Sequence, residues 1–388
     1  MTGLRVPALY MRGGTSKGVF FRSEELPANN TERDRILLRV IGSPDPFGKH
    51  TDGMGGATSS TSKVVLLSRA TRPGCDVNYL FGQVAIDRPV IDWSGNCGNL
   101  SAAVGPAAIH LGIVPMPADG IATVNIWQAN ISKRIIAHVP IRDRMVVEEG
   151  NFTLDGVAFP AAEIALEFLD PGVDEDGDDL GGAMFPTGSL VENIMVPGIG
   201  ALEATLITAG LPTIYVNAAS LGLVGTELQH QVNGDKELLA RVETIRSHAS
   251  VLFSLTKTAA ESTATRPHTP KVAYVAPPAT YTSSGGEIVD AEAIDLLARV
   301  FSMGQLHHAM TGTGAISLAA AAAVPGTLVS RIAGPRADAR LRVGHPSGRL
   351  IVGAEAVEQN GSWIVTKALM SRSARRLMEG WVIVPKTQ

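Results

Sequence analysis

A chain of 388 residues exceeds the usual size of one domain, so two domains of roughly 150–200 residues are expected, each large enough to bury a core. With 45% hydrophobic and 18% charged residues the composition is that of an ordinary soluble globular protein, and a net charge of -4 weighs against nucleic acid or an anionic membrane as the main partner. Any anionic ligand must then be met by a few placed cations and backbone donors. From the N-terminus onward, MTGLRVPALY lacks the apolar run of a signal peptide. Short β-like stretches bounded by Gly, Pro, Asn or Asp follow: Val64–Leu67, Val77–Ile86, Ala122–Ile126 and Arg134–Val139, then Ala204–Ile207, Thr213–Val216, Lys271–Val275, Leu350–Val352 and Trp381–Val384. Helical patterning predicts Glu32–Ile41, Leu100–Leu111, Lys236–Leu255, Ala291–Phe301 and the Ala-rich Ala315–Ala323. The longest apolar stretch, Ala315 to Val324, is too short to span a bilayer. Many short strands with few helices fit an α+β fold better than a regular βαβ sheet.

A weak internal repeat accompanies this pattern. Strand-like VPALYM and the polar turn RGGTSKG precede NCGNLSAAVG, while strand-like LPTIYV and NAASLGLVG precede MTGTGAISLA. In both halves a Gly-containing polar motif opens an Ala-rich helix. The division expected is 1–190 and 191–388, with a break near Pro186–Gly200 after an acidic loop at Asp170–Gly182. A C-terminal segment from about 366 could pack back on the first domain.

Of the two cysteines, Cys97 stands between two Gly-Asn pairs directly before a predicted helix, and Cys75 lies in a turn-like Arg-Pro-Gly context. Two cysteines make no disulfide framework and no C-x-x-C zinc pair, which fits a reduced, cytoplasmic protein. First-turn N–H groups of a helix lack internal partners, so a thiol there has its thiolate stabilised, and the same donors bind carboxylates. The alternative, a packing cysteine, sits poorly in so polar a setting. Lys63 closes the donor-rich DGMGGATSSTSK and opens the apolar VVLL; a partly desolvated lysine there is a usable base, whereas a solvated strand-edge lysine is the plain alternative. MRGGTSKG brings Arg12, Ser16 and Lys17 together without the spacing of a Walker loop. GQLHHAMTGTGA places His307 and His308 just before a second helix start at Thr311 and Gly312; adjacent histidines are poor metal geometry, so proton handling or carboxylate binding fits better. Lys271 and the GHPSG stretch at Gly344–Gly348 carry little signal by themselves.

Together these segments resemble the PrpF family, of diaminopimelate epimerase-like fold. The resemblance rests on MRGGTSKGVFF, GSPDPFGKHTDGMGGATSSTSKVV, DVNYLFGQVAID, DWSGNCGNLSAAVG, MGQLHHAMTGTGA, GHPSG and KALMSRSARRLMEGWV, from Met11 to Val382. It implies two similar domains, each a β-sheet wrapped around a central helix, with the active site in the cleft between them. It also implies isomerisation of small unsaturated di- and tricarboxylates without organic cofactor or metal. The catalytic pair implied is Lys63 and Cys97, with the family's serine on Ser16 and its second-domain histidine on His307 or His308. The second cysteine of the epimerases falls on Thr311, so a symmetric two-thiol reaction is not expected. Substrate contacts are expected from Arg12, Ser16, Lys17, Ser62, Asn96, Gly98, Asn99, His307, His308, Thr311 and Gly312. The leading expectation is cis-trans isomerisation of 2-methylaconitate in the methylcitrate route of propionate breakdown, by allylic proton transfer. The other expectations are 4-oxalomesaconate tautomerisation, aconitate or methylitaconate isomerisation and, in another class, a non-catalytic tricarboxylate-binding accessory of a dehydratase. The partners implied are a small tricarboxylate and a functional link to a methylcitrate dehydratase, with a homodimer left open.

Overall fold

The computed structural model describes residues 3–171, 184–336 and 340–385. The chain forms two compact units: Met1–Thr153 with Phe159–Leu166 and Arg372–Gln388, and Leu154–Ala158 with Glu167–Ser371. The division expected at 190 thus falls inside the second unit, and the Pro186–Gly200 segment supplies one of its strands. The acidic loop expected at Asp170–Gly182 lies, beyond Pro171, outside the described residues.

The first unit runs β1 (Gly3–Gly13), β2 (Ser16–Arg22), α1 (Asn30–Ile41), β3 (Lys63–Arg69), β4 (Val77–Val84), β5 (Ile91–Asp92), α2 (Gly98–His110), β6 (Gly120–Gln128), β7 (Lys133–Arg142) and β8 (Met145–Val146). A further strand, β9 (Glu163–Leu169), begins in this unit and ends in the second. The pairings are β1–β2 antiparallel, β2–β3 parallel, β3–β4 and β4–β5 antiparallel, β4–β6 parallel and β6–β7 antiparallel. Helix α1 is stapled at both ends by local chemistry: the Asn29 side chain accepts from Glu32 N–H, and Gly42 takes the left-handed φ of 87° that ends it. One face of the sheet, with Val19, Phe21, Val64 and Leu66, packs on Ile36, Leu37, Val40 and Ile41 of α1. The other face wraps α2, whose residues from Gly98 to Ile109 are all buried. A helix apolar on every side belongs in an interior. Its small residues let strands come close: a Cβ on Gly105 would lie 2.7 Å from Val139 Cγ2.

The second unit runs β10 (Glu192–Val196), β11 (Gly200–Ala209), β12 (Leu211–Asn217), α3 (Gln229–Asn233), α4 (Lys236–Leu252), α5 (Ala259–Thr265), β13 (Lys271–Ala276) and a small hairpin of β14 (Tyr281–Thr282) and β15 (Ile288–Val289). It continues through β16 (Leu296–Ser302), β17 (Gln305–Leu306), α6 (Gly312–Ala323), α7 (Leu328–Ala333), β18 (Arg340–His345) and β19 (Gly348–Gln359). The last strand, β20 (Ser362–Pro385), pairs first with β19 and then, from Ala374 onward, with β1. The pairing scheme of the first unit recurs: β11–β12 antiparallel, β12–β13 parallel, β13–β16 and β16–β17 antiparallel, β16–β18 parallel and β18–β19 antiparallel. Helix α6, buried from Gly312 to Ala322, takes the place of α2, and α4 that of α1. The fold is the α+β, two-domain arrangement expected.

Two expectations change in detail. The helix expected over Ala291–Phe301 is a single 3₁₀ turn, Ala291–Ala293, followed by strand β16. LLARVFS is buried at every position between β13 and β18, and a short run covered on both faces has no period to tell strand from helix. The repeat is also offset by one strand. VPALYM belongs to β1, whose counterpart is β11, whereas LPTIYV belongs to β12, the counterpart of β2. In the second unit the turn between those strands is Gly210 alone, at φ 72°, where the first has a polar loop. Among the described residues no helix is long and apolar enough to cross a membrane.

Candidate active site

The site is built on the N-terminus of α2. Cys97 is its N-cap, with extended backbone (φ -120°, ψ 93°), and its Sγ accepts from Leu100 N–H at 3.5 Å. The thiol is 7% exposed and lies among Asn96, Gly98 and Asn99, all buried. Chain entry to the helix is fixed by Tyr79, whose hydroxyl donates to Cys97 O at 3.2 Å; burial holds that phenol far above its ordinary pKa.

Lys63 is the first residue of β3, and side chains on a strand alternate between faces. Val64 and Leu66 face α1, so Lys63 faces α2, together with Tyr79, Phe81 and Gln83 of β4. Its ammonium donates to Gln83 Oε1 at 2.6 Å and stands 5.1 Å from the centre of the Phe81 ring. The Gln83 amide is in turn fixed by donating to Ser62 O at 3.1 Å. Desolvation lowers the Lys63 pKa below 10.5, while the charge of Cys97 acts in the opposite direction. A lysine with a lowered pKa thus stands within electrostatic reach of the thiol that caps a helix start.

The β1–β2 turn closes over this helix start. A Cβ on Gly13 would lie 2.7 Å from Asn99 O, and one on Gly14 would lie 2.6 Å from Asn99 Oδ1. Gly14 also has φ 52°. The two glycines of RGGTSKG therefore serve close approach to α2. Asn99 is used at both ends of its amide: Nδ2 donates to Thr15 Oγ1 at 2.9 Å, and Oδ1 accepts from Arg372 Nε at 3.1 Å.

Ser16 is buried on the α2 face, in phase with Gly18, whose position is bounded by Lys63 O and Leu100. Lys17 is one residue out of phase and turns away, its ammonium 5.2 Å from the Tyr10 ring. Arg12, paired with Lys17 across the hairpin, donates to Gly14 O and Ser373 O, each at 3.0 Å. Burial, then the charge of Arg375, lowers its pKa. Ser62 turns to His50, with Oγ 3.3 Å from Nδ1. The structure thus gathers Ser16, Lys63, Asn96, Cys97, Gly98 and Asn99 on the α2 side and sets Arg12, Lys17 and Ser62 to other contacts.

In the second unit Thr311 is the N-cap of α6, its Oγ1 accepting from Gly314 N–H at 3.1 Å. A Cβ on Gly314 would lie 2.6 Å from that oxygen, which explains the glycine. Gly312 is the first helical residue. His307 is buried, with Nδ1 2.7 Å from Ala309 O, and stacks on His308 at 4.5 Å between ring centroids. His308 is half-buried, and desolvation lowers its pKa. Two residues of the first site escaped the sequence reading. Gln83 orients the lysine, and its signal was its place opposite Lys63 in adjacent strands. Arg372, 2% exposed with its pKa lowered by burial, braces Asn99; its signal was an arginine inside the strand-like KALMSRSARR. Among the described residues no three His, Cys, Asp or Glu side chains form a metal-holding group.

The profile of the PrpF protein family matches residues 3–385. The chain belongs to the PrpF family. It is 58% identical, over 99% of its length and 98% of the relative's, to a 2-methyl-aconitate isomerase of Shewanella oneidensis. It is 57% identical to a 2-methyl-aconitate isomerase of Cupriavidus necator over 98% of both chains. Among solved structures a methylitaconate-delta-isomerase covers 99% of this chain and 97% of its own, at TM-score 0.78 and 34% identity. A probable proline racemase, at 15% identity and TM-score 0.53 over 97% of this chain and 92% of its own, shares the fold. The fold of this chain is therefore common to that probable proline racemase as well.

Proposed function

We propose that this PrpF-family chain is an isomerase that interconverts the cis and trans forms of 2-methylaconitate by allylic proton transfer, with Lys63 as base. The observation that carries the mechanism is the buried Lys63, held to Gln83 and facing the Cys97-capped start of α2. The two 2-methyl-aconitate isomerases at 58% and 57% identity over nearly the whole chain support the substrate.

The chemistry follows from the groups. A carbon proton beside a C=C conjugated to carboxylate is acidified because its loss gives a delocalised dienolate. Lys63, whose pKa is lowered by burial, takes that proton in its neutral form and becomes an ammonium. In the dienolate the former double bond has reduced order, so rotation and return of the proton give the other geometric isomer. Return to the far end of the allyl system shifts the double bond instead. Negative charge that builds on the conjugated carboxylate meets the free N–H groups at Gly98 and Asn99 and the Ser16 hydroxyl. Cys97 supplies a second proton at the same helix start. Thr311 and Gly312, the corresponding helix start of the second unit, are assigned to carboxylate binding, with His307 and His308 before them. A threonine hydroxyl exchanges no carbon proton near pH 7, so the reaction is run by the first unit's lysine. We place the reaction in the cytoplasm and in the methylcitrate route.

The test is turnover of cis- and trans-2-methylaconitate, trans-aconitate, methylitaconate and 4-oxalomesaconate by the purified chain. The reading predicts the highest kcat/KM on 2-methylaconitate. A preference for another acid by about tenfold or more moves the assignment to that substrate, and absence of turnover on all five removes it.

A further inference from the structure

Strand β4 sets Gln83 directly opposite Lys63 of β3, and opposite Asp92 of β5 on its other side. Residues paired in this way project to the same face of a sheet. Gln83 is fully buried, and its amide is used at both ends: Oε1 accepts from Lys63 Nζ at 2.6 Å and Nε2 donates to Ser62 O at 3.1 Å. The two bonds fix the amide in one sense. A backbone carbonyl only accepts, so the amide nitrogen turns to Ser62 and the oxygen is left to the lysine. Ser62 O also accepts from Val84 N–H at 3.1 Å, so the amide is anchored where β3 and β4 begin and end their pairing. Charged and titratable groups surround the pair. Cys97 at the α2 start acts on Lys63 through its charge. The Tyr79 phenol of β4, kept protonated by burial, donates to Cys97 O. The Asp92 carboxylate accepts from the Ser94 N–H at 2.8 Å and from the Ser94 hydroxyl at 2.6 Å. His50 meets Ser62 Oγ, and Arg372 of β20 reaches Asn99. Among the described residues it is the Gln83 amide, a neutral group, that accepts the hydrogen bond of Lys63.

A neutral acceptor does here what neither a carboxylate nor an apolar side chain can. It takes an N–H from the ammonium and also from the neutral amine, so the nitrogen keeps its place when the proton leaves. With one N–H held to Oε1, the lone pair of the amine is confined to the two remaining staggered positions, both directed away from Gln83. A carboxylate in the same place would favour the ammonium and hold the proton on it. An apolar side chain would leave a buried N–H unpaired and the amine free to turn. We propose that Gln83 is a positioning residue for Lys63, which aims the lone pair of the neutral amine and leaves the nitrogen free to lose and regain its proton. The proposal rests on the reading of Lys63 as the base.

The test compares the wild type with Gln83→Glu and Gln83→Met by two measurements. One is the pH profile of kcat and KM on 2-methylaconitate. The other is the titration of Lys63 itself, followed by NMR of its Cε in protein carrying isotope-labelled lysine and assigned by its loss in Lys63→Met. Gln83→Glu is expected to raise the Lys63 midpoint by about one pH unit or more and to move the rising limb of kcat/KM with it. Below that limb its activity should fall roughly tenfold, and it should recover as pH rises. Gln83→Met is expected to lower the midpoint, yet its plateau kcat should fall roughly 10- to 100-fold with KM within a few-fold, and no pH restores it. A residue that merely fills space would change the melting temperature and leave midpoint and limb unmoved. Gln83→Asn, which keeps the amide but draws it back by one carbon, should follow Gln83→Met and stands in for a variant that does not fold. Unmoved midpoints in the variants, or a full plateau kcat in Gln83→Met, overturn the proposal. If the midpoints shift as expected but wild-type turnover does not follow the Lys63 titration, Gln83 still positions the lysine and the reading of Lys63 as base fails. A wild-type limb that tracks the Lys63 midpoint, with no variant moving either, gives the reverse.

Discussion

Replacing Lys63 with methionine removes the nitrogen while keeping the length of the side chain. In the wild type that nitrogen is buried, donates to Gln83 Oε1 at 2.6 Å and faces the Cys97-capped helix start. Loss of a positioned general base costs ~10²–10⁴ in rate, or about 2.7–5.5 kcal/mol of barrier. Stability moves far less. Gln83 Oε1 loses a donor, a cost of about 1–3 kcal/mol, while removal of a desolvated ammonium acts in the opposite direction. At about 2–4 °C per kcal/mol for units of this size, the variant should melt within a few degrees of the wild type. The pH dependence has a definite sign. Burial places the folded-state pKa of Lys63 below 10.5, so between that pKa and 10.5 the unfolded chain holds more protons. Wild-type stability relative to the variant therefore rises with pH across that window, and the lysine is unfavourable below it. Activity rises in the same direction, because only the neutral amine takes a proton. The assays are initial rates on 2-methylaconitate from pH 6 to 10 and thermal melts over the same range. A variant within a few-fold of wild-type kcat, or a wild-type rate that falls as pH rises through the basic limb, refutes the assignment of Lys63 as base.

Cys97→Ser should hold or raise the melting temperature, because serine is a preferred N-cap, while solvent proton exchange falls by about tenfold or more; equal activity in a well-folded variant contradicts a proton-carrying thiol. Gly14→Ala forces a Cβ to 2.6 Å from Asn99 Oδ1 at φ 52°, and chemical denaturation should report a loss of at least ~1–2 kcal/mol. Thr311→Val removes the acceptor of Gly314 N–H; about 1 kcal/mol of stability should be lost and KM should rise, while Lys63-dependent exchange survives at saturation.

The parts of this site written in local sequence were legible. Gly-Asn pairs around Cys97 announce a helix start because small polar residues cap helices, and Cys97 is indeed the N-cap of α2. Lys63 stood out at the junction of a polar loop and an apolar run, which is the first position of β3. What depends on long-range pairing was not legible. Ser16 and Lys17 are neighbours in sequence, and only the β1–β2 register decides that the serine faces α2 while the lysine turns to Tyr10. Arg372 reaches Asn99 because β20 pairs with β1, a contact between the two ends of the chain. The strand at Leu296–Ser302 was read as helix because a run buried on both faces carries no alternation.

The central claim, proton transfer at carbon by a buried lysine, is tested most directly by following the wild-type chain with trans-2-methylaconitate in deuterated water by proton NMR. The account predicts that the cis isomer appears and that solvent deuterium enters the allylic position of both isomers. Isomerisation with no deuterium incorporated at any substrate concentration, or tight binding of the acid with neither isomerisation nor exchange, would contradict it.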